Sequence, residues 1–206
     1  MRKSMIALLL SLLLTACGLS VAQSESLISR TEFEQIFPGH IAFYSYDDFA
    51  EFTSFRTRRE AAMLLANVYH ETQGLTLIEE EPRYRQVYCD RQRPYGCPAG
   101  AARYFGRGPV QLSWNWNYKD AGDALGLDLL NDPDLVARDP RVAWETVGWF
   151  WSSVPPNATF ADINRKINGP QECNGGPFKA SVQSRISAYR RISDILGVSP
   201  GGGLSC

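Results

Sequence analysis

The sequence predicts a mainly helical domain, on three grounds. Apolar residues recur at helical spacing in several segments, those segments carry start and stop signals, and only the stretch from Leu75 to Ile78 reads as extended. At 206 residues the chain is sized for one domain with a full core. Aromatic residues make up 12% of it, which suits a deep core, a cleft lined with flat rings, or both.

The N-terminus reads as an address. Arg2 and Lys3 precede an apolar run from Met5 to Ala16, too short to span a bilayer as a helix and sized for an export signal. Two processing routes fit. Signal peptidase can cut after Ala22 in Ser20-Val21-Ala22, or Leu14-Thr15-Ala16-Cys17 can act as a bacterial lipobox that leaves a lipidated Cys17 as a membrane anchor. Residues 1–22 are therefore set apart, 23–30 read as a short polar linker, and 31–206 as the domain, exported to the medium or held at the cell envelope.

Within the domain, Phe33, Ile36 and Phe37 mark a first helix closed by Pro38-Gly39. Thr57-Arg58-Arg59-Glu60 has the pattern of a capping box and opens a helix to about Thr72, with Gly74 as its stop. Further helices are expected over Ala121–Leu125, from Val142 to about Ser153, where Pro155-Pro156 follow, and from about Ser181 to Leu196, before Gly197. The Gly- and Pro-rich connections Tyr95–Gly100 and Gly106–Pro109 are where a cleft would be built.

Cys89, Cys97, Cys173 and Cys206 form an even set for an oxidising compartment. Of the three connectivities open to them, a local Cys89–Cys97 pair with a long Cys173–Cys206 pair is the simplest. His40 and His70 stand at no zinc-type spacing from these cysteines, so no metal is expected. With 21 basic against 22 acidic residues the chain lacks the cationic surplus that nucleic-acid binding rests on.

Three groups of residues carry the chemistry. Glu71 lies on the last turn of the Thr57-capped helix, where the helix dipole disfavours an ionised carboxylate, the setting of a general acid. A solvated helix-end Glu would look the same from position alone. Glu79-Glu80-Glu81 follows, three adjacent carboxylates with Arg83 and Arg85 as candidate counter-ions; in an extended segment Glu80 faces away from both neighbours. Together with Glu71 this run offers what inverting glycoside hydrolysis needs, two carboxyl groups far enough apart to admit a water. Then Gln111, Ser113, Trp114, Asn115, Trp116, Asn117 and Tyr118 interleave amides, a hydroxyl and rings, a strip suited to sugar hydroxyls, N-acetyl groups and pyranose faces, or equally a buried turn. Gly106-Arg107-Gly108-Pro109 lacks the spacing of a phosphate loop, and Ser113 has no nucleophile-elbow context.

From about Leu27 to Cys206 the chain resembles the catalytic domain of glycoside hydrolase family 19 chitinases, especially the compact bacterial type. The strings that carry the resemblance are His70-Glu71-Thr72, Cys89 to Cys97, Tyr104 to Asn115, Asn131 to Val136, Ile167-Asn168-Gly169 and Asp194 to Val198. The resemblance implies a lysozyme-like, two-lobed helical fold with a substrate groove and a small β element. It also implies an endo-acting monomer that cleaves β-1,4 links between N-acetylglucosamine units of chitin with inversion, without metal or cofactor. Murein strands carry related links and are the alternative substrate. By the same matching Glu71 is the acid, Glu80 the base and Ser113 the holder of the attacking water. Tyr88, Gln111, Trp114, Asn117, Asn168 and Arg185 match positions that contact substrate or organise the cleft. Gln73 stands where relatives often have Gly, and Pro170 replaces a small residue after Asn168-Gly169.

Overall fold

A computed structural model describes residues 26–173, 175–176 and 178–206, so the segment read as an export signal, Cys17 and the start of the stretch read as linker lie outside it. The elements are α1 (Arg30–Ile36), α2 (Tyr46–Phe52), α3 (Arg58–Glu71), α4 (Asn115–Leu125), α5 (Leu135–Arg138), α6 (Pro140–Ser152), α7 (Phe160–Glu172) and α8 (Lys179–Ile195), with one 3-10 turn at Pro82–Tyr84. Among the described residues, no helix is long and apolar enough to cross a membrane.

The large lobe is built around α3. Every residue from Glu60 to Val68 is buried, so this helix is covered all round, and its broadest partner is α8. Trp144 of α6 is fully buried and packs edge-on against Phe49 and Tyr44, at ring separations of 5.3 and 5.9 Å. Phe160 of α7 stacks on Tyr189 of α8 at 4.4 Å. A second core, formed by Tyr104, Leu112, Tyr118, Ala121, Leu129, Leu130, Val136 and Val142, belongs to the small lobe. The turn closing α4 needs glycine at 122, since a Cβ there would stand 2.5 Å from the Leu127 carbonyl oxygen. The two cores give the fold its two lobes, and the segment 72–114 leads from the first, at Leu75, into the second, at Tyr104 and Leu112.

The expected helices all form, several with shifted limits, and three were not foreseen. α2 is two turns capped by Ser45, α5 is a single turn, and α7 is opened by a Thr159 capping box that uses Asp162 in place of Glu or Gln. Proline and Asn-Gly disfavour a helix interior, yet Asn168-Gly169 and Pro170 lie inside α7, which is kinked at Asn168 (φ -147°, ψ 37°). Three other expectations are corrected. Residues 28–30, at the end of the stretch read as linker, are part of the domain: Ile28 is fully buried and Ser29 caps α1. Thr57 accepts from the Glu60 N–H, but the Glu60 carboxylate turns to Arg56 and leaves the box half made. Leu75–Ile78 belongs to a turn; the extended backbone comes next, where Glu79 bridges Arg107, which in turn bridges Leu112. These bridges are the small β element.

Both disulfides join the cysteines as the simplest connectivity has them, Cys89–Cys97 with a Cα separation of 6.1 Å and Cys173–Cys206 with 5.1 Å. Asn115 clamps the first loop, accepting from the Asp90 N–H and donating to the carbonyls of Asp90 and Gly96.

Glu32 closes the α1 capping box and pairs with Arg58 at the start of α3. The Arg58 guanidinium, above all, lowers its carboxyl from 4.5 to about 2. A depressed carboxyl contributes stability that is complete above its unfolded value of 4.5 and is lost as pH falls toward 2. Urea midpoints of the wild type should therefore drop below about pH 4.5, by the equivalent of about 1 kcal/mol once solvent screening of this partly exposed pair is counted, and Glu32→Gln should flatten that drop.

Candidate active site

Glu71 stands on the last turn of α3, one turn beyond Asn67 and on the same face. Between them α8 inserts Arg185, only 1% exposed. Its Nη2 donates to Glu71 Oε1 at 2.6 Å and to Glu172 Oε1 at 2.7 Å, Nε donates to Glu172 Oε2 at 2.8 Å, and Nη1 donates to Asn67 Oδ1 at 3.0 Å. Asn168 completes the group by donating to Glu172 Oε1 at 3.1 Å. Burial would raise the Glu172 carboxyl, but Arg185 outweighs it and holds that carboxyl below the ordinary range. Burial likewise opposes the Arg185 charge, and Glu71 and Glu172 more than restore it. Neighbouring His70 is held neutral to lower pH, first by burial and then by the Arg185 cation, with Ser184 Oγ 3.1 Å from its Nδ1. The helix-end field at Glu71 is thus countered by a guanidinium at contact distance, which the linear sequence does not display.

The three carboxylates after the turn have different partners, as alternation in an extended segment requires. Glu79 pairs with Arg85 at 2.8 Å and faces buried Arg107 at 3.6 Å, while Glu81 pairs with Arg83 at 2.8 Å and accepts from Gln73 Nε2 at 3.1 Å. Among the described residues, the Glu80 carboxylate pairs with no cation. Its Oε1 accepts from the Tyr88 hydroxyl at 2.8 Å and its Oε2 from the Gly106 N–H at 3.2 Å. The Tyr88 phenol is pushed up, first by burial, then by Glu80, and also by the charge of Glu71. The hydroxyl thus feels the charge of both carboxylates, that of Glu80 at hydrogen-bond distance and that of Glu71 more weakly.

Ser113 lies on the strained turn before α4, flanked by Gln111 (φ 47°) and Trp114 (φ 75°), and its hydroxyl donates to the Gln111 carbonyl at 2.9 Å. Gln111 commits its amide nitrogen to the carbonyls of Gly108 (3.0 Å) and Ile78 (3.4 Å), so it shapes the turn that carries Ser113 rather than offering that donor to a ligand. Asn117 does similar work from the first turn of α4, donating to the Ser113 carbonyl at 2.9 Å. Trp114 is 38% exposed, with Trp116 stacked beside it and Tyr88 edge-on at 5.5 Å, an aromatic surface that can cover a sugar face. Gln73, at φ 51°, holds the left-handed conformation that glycine adopts more easily, and its amide ties the end of α3 to the Glu81 carboxylate.

Glu172 and Asn67 were not singled out from the sequence, while Asn115 was read there as part of a sugar-facing strip and Arg107 only as part of a loop, neither in the clamping role that the structure gives it. Asn67 could have been found, because it precedes Glu71 by four residues in a helix. Glu172 could not, since only the packing of α7 on α8 brings it to Arg185.

The family model described as chitinase class I, glycoside hydrolase family 19, matches residues 37–159. The chain is similar to an acidic endochitinase of Dioscorea japonica, 44% identical over 156 residues, covering 72% of this chain and 62% of that protein. It is also similar to basic endochitinase CHB4 of Brassica napus, 47% identical over 162 residues, covering 77% and 59%. It thus spans less than two thirds of the length of these curated relatives. Chitinase C from Streptomyces griseus superimposes with a TM-score of 0.81 at 46% identity, covering 89% of this chain and 99% of that one. A class IV chitinase from Zea mays gives 0.65 at 33%, covering 91% and 90%.

The Arg185 cluster predicts a specific pattern of stability. Arg185→Met leaves Glu172 buried without its counter-ion and should cost about 3–5 kcal/mol in chemical denaturation. Adding Glu172→Leu removes the orphaned charge and should recover most of that loss, which a simple packing defect at 185 would not allow.

Proposed function

The chain belongs to the family 19 glycoside hydrolases of the chitinase class I type, and from that membership we propose that it is an endo-acting, inverting chitinase. Its substrate would be chitin and chito-oligosaccharides, cut at β-1,4 bonds between N-acetylglucosamine units. The observation that supports this reading is a pair of differently held carboxylates: Glu71, held by a buried guanidinium, and Glu80, held by the Tyr88 phenol and a backbone N–H with no cation against its carboxylate among the described residues.

In the proposed reaction Glu71 gives its proton to the glycosidic O4 as that bond breaks. Glu80 takes a proton from a water on the opposite sugar face, whose oxygen bonds to the anomeric carbon and inverts it. Ser113, beside the turn that presents the Gly106 N–H to Glu80, would hold that water in line. Trp114 and Tyr88 would lie against sugar rings, while Gln111, Asn117 and Asn168 support the walls. Every step uses side chains of this chain. Two disulfides suit a protein that works outside the cytoplasm. We read it as exported and monomeric, with lipidation of Cys17 as one processing route. No observation in the structure favours murein over chitin.

Hydrolysis of chitin hexasaccharide, with product anomers resolved at early times and purified peptidoglycan tested beside it, checks the reading. The expected products are α-anomeric oligomers from chitin. Glu71→Gln and Glu80→Gln, with folding verified by circular dichroism, should each lose at least about 100-fold in turnover. β-Anomeric products, soluble fragments from peptidoglycan alone, or near-full activity in either variant would refute the corresponding part.

A further inference from the structure

Arg107 is fully buried, and it carries a charge. Its Nη1 donates to the carbonyls of Arg103 (2.7 Å) and Phe105 (3.2 Å) and to the Tyr118 hydroxyl (2.9 Å), and its Nη2 donates to Asp134 Oδ1 at 2.5 Å. Nε makes no hydrogen bond and faces Glu79 Oε1 at 3.6 Å. The Phe105 ring lies 3.7 Å from the guanidinium carbon of Arg107 and equally 3.7 Å from that of Arg85. Glu79 is the anion both cations share.

The backbone of the same residue is the middle rung of the small β element, bridging Glu79 on one side and Leu112 on the other. The Arg107 N–H donates to the Leu112 carbonyl at 3.2 Å, and the Arg107 carbonyl accepts from the Leu112 N–H at 2.8 Å. On the other side, the Glu80 N–H donates to the Gly106 carbonyl and the Gly108 N–H to the Ile78 carbonyl, both at 2.8 Å. The residues directly beyond the two rungs are Glu80 and Ser113. Glycine flanks Arg107 because neighbours press close: a Cβ at 106 would stand 2.8 Å from Gln111 Oε1, and one at 108 would stand 3.0 Å from Val136 Cγ1.

Burying a cation costs several kcal/mol unless its donors are well met, and a neutral side chain of similar size would fill the space more cheaply. What a guanidinium adds is direction, because its donors fix it at several atoms at once. We infer that Arg107 is a positioning residue for the water-activating half of the site. Locked to Asp134 and Tyr118 and facing Glu79, it sets the register at which Glu80 and Ser113 meet around the attacking water. The inference rests on the proposed roles of Glu80 and Ser113, and Arg107, being fully buried, would act through them and not by contact with substrate.

The test compares Arg107→Met, Arg107→Lys, Glu79→Gln and Asp134→Asn on a soluble chito-oligosaccharide, with Glu80→Gln measured beside them. Arg107→Met should lower kcat about 10- to 100-fold through misplacement of the base and its water, with KM changed by no more than about threefold. It should also move the acidic limb of the kcat/KM profile to higher pH, because a cation that favours the ionised base is gone. Glu79→Gln removes an anion beside the base and should move that limb to lower pH. Arg107→Lys, which keeps the charge without the fork, should restore the limb but not kcat. A loss of thermal stability with kcat and the acidic limb unmoved would reduce Arg107 to a packing role and overturn the inference. If the Arg107 variants do not fold, Glu79→Gln and Asp134→Asn carry the test, and an unmoved limb in both overturns it. Full activity in Glu80→Gln would overturn the underlying assignment of the base instead.

Discussion

The Glu71 side of this structure depends on a guanidinium that is almost wholly buried. Arg185 ties α8 to α3 through Asn67 and Glu71 and to α7 through Glu172, so three helices of the large lobe meet at one cation. Two carboxylates and an amide together satisfy what burial would otherwise make intolerable. The arrangement is stiff because each partner lies on a different element. Glu71 is therefore not a freely rotating helix-end side chain; its position follows from how α7 and α8 pack on α3.

The small lobe repeats the device with different parts. Arg107 is likewise fully buried, and with Trp144 and Arg185 it is among the largest side chains so enclosed. Each lobe thus buries one arginine, and each arginine lies behind one of the two candidate carboxylate segments. Between them the backbone is strained where the chemistry is expected. The non-glycine residues with positive φ among those described, Gln73, Leu75, Gln111 and Trp114, all fall within four positions of Glu71 or Ser113. Such conformations persist only where surrounding contacts over-determine them. Leu75 is fully buried with its N–H on the Thr72 hydroxyl, and Gln111 is fixed through its own amide.

Much of the site was legible in the sequence because its signals are local. The Thr57 cap and the Gly74 stop bound α3 and put Glu71 on its last turn, and alternation along an extended segment separates Glu80 from Glu79 and Glu81. The cysteine pairing follows parity and proximity. The misses have local causes as well. α7 contains Pro170 and an Asn-Gly pair, which argue against a helix until packing on α8 holds it together. Leu75–Ile78 looks extended by composition, but the turn that leaves α3 consumes it. Ile28 looked like linker because Leu27-Ile28, two adjacent apolar residues among polar ones, have no periodicity to report.

By itself, then, the sequence determined the helical class, the placing of the strongest helices, the simplest disulfide pairing and two candidate carboxylate segments, most of them properties of residues within a few positions of each other. Only the tertiary structure decided what surrounds those carboxylates. Glu71 meets Arg185 across 114 residues of chain, and the Glu80 carboxylate meets the Gly106 N–H across 26. Charge interaction depends on distance in space and on burial, neither of which a linear pattern encodes. Whether a carboxylate faces a guanidinium, a phenol or water is therefore settled by how the lobes pack, and that packing distinguishes two glutamates that look alike in the sequence.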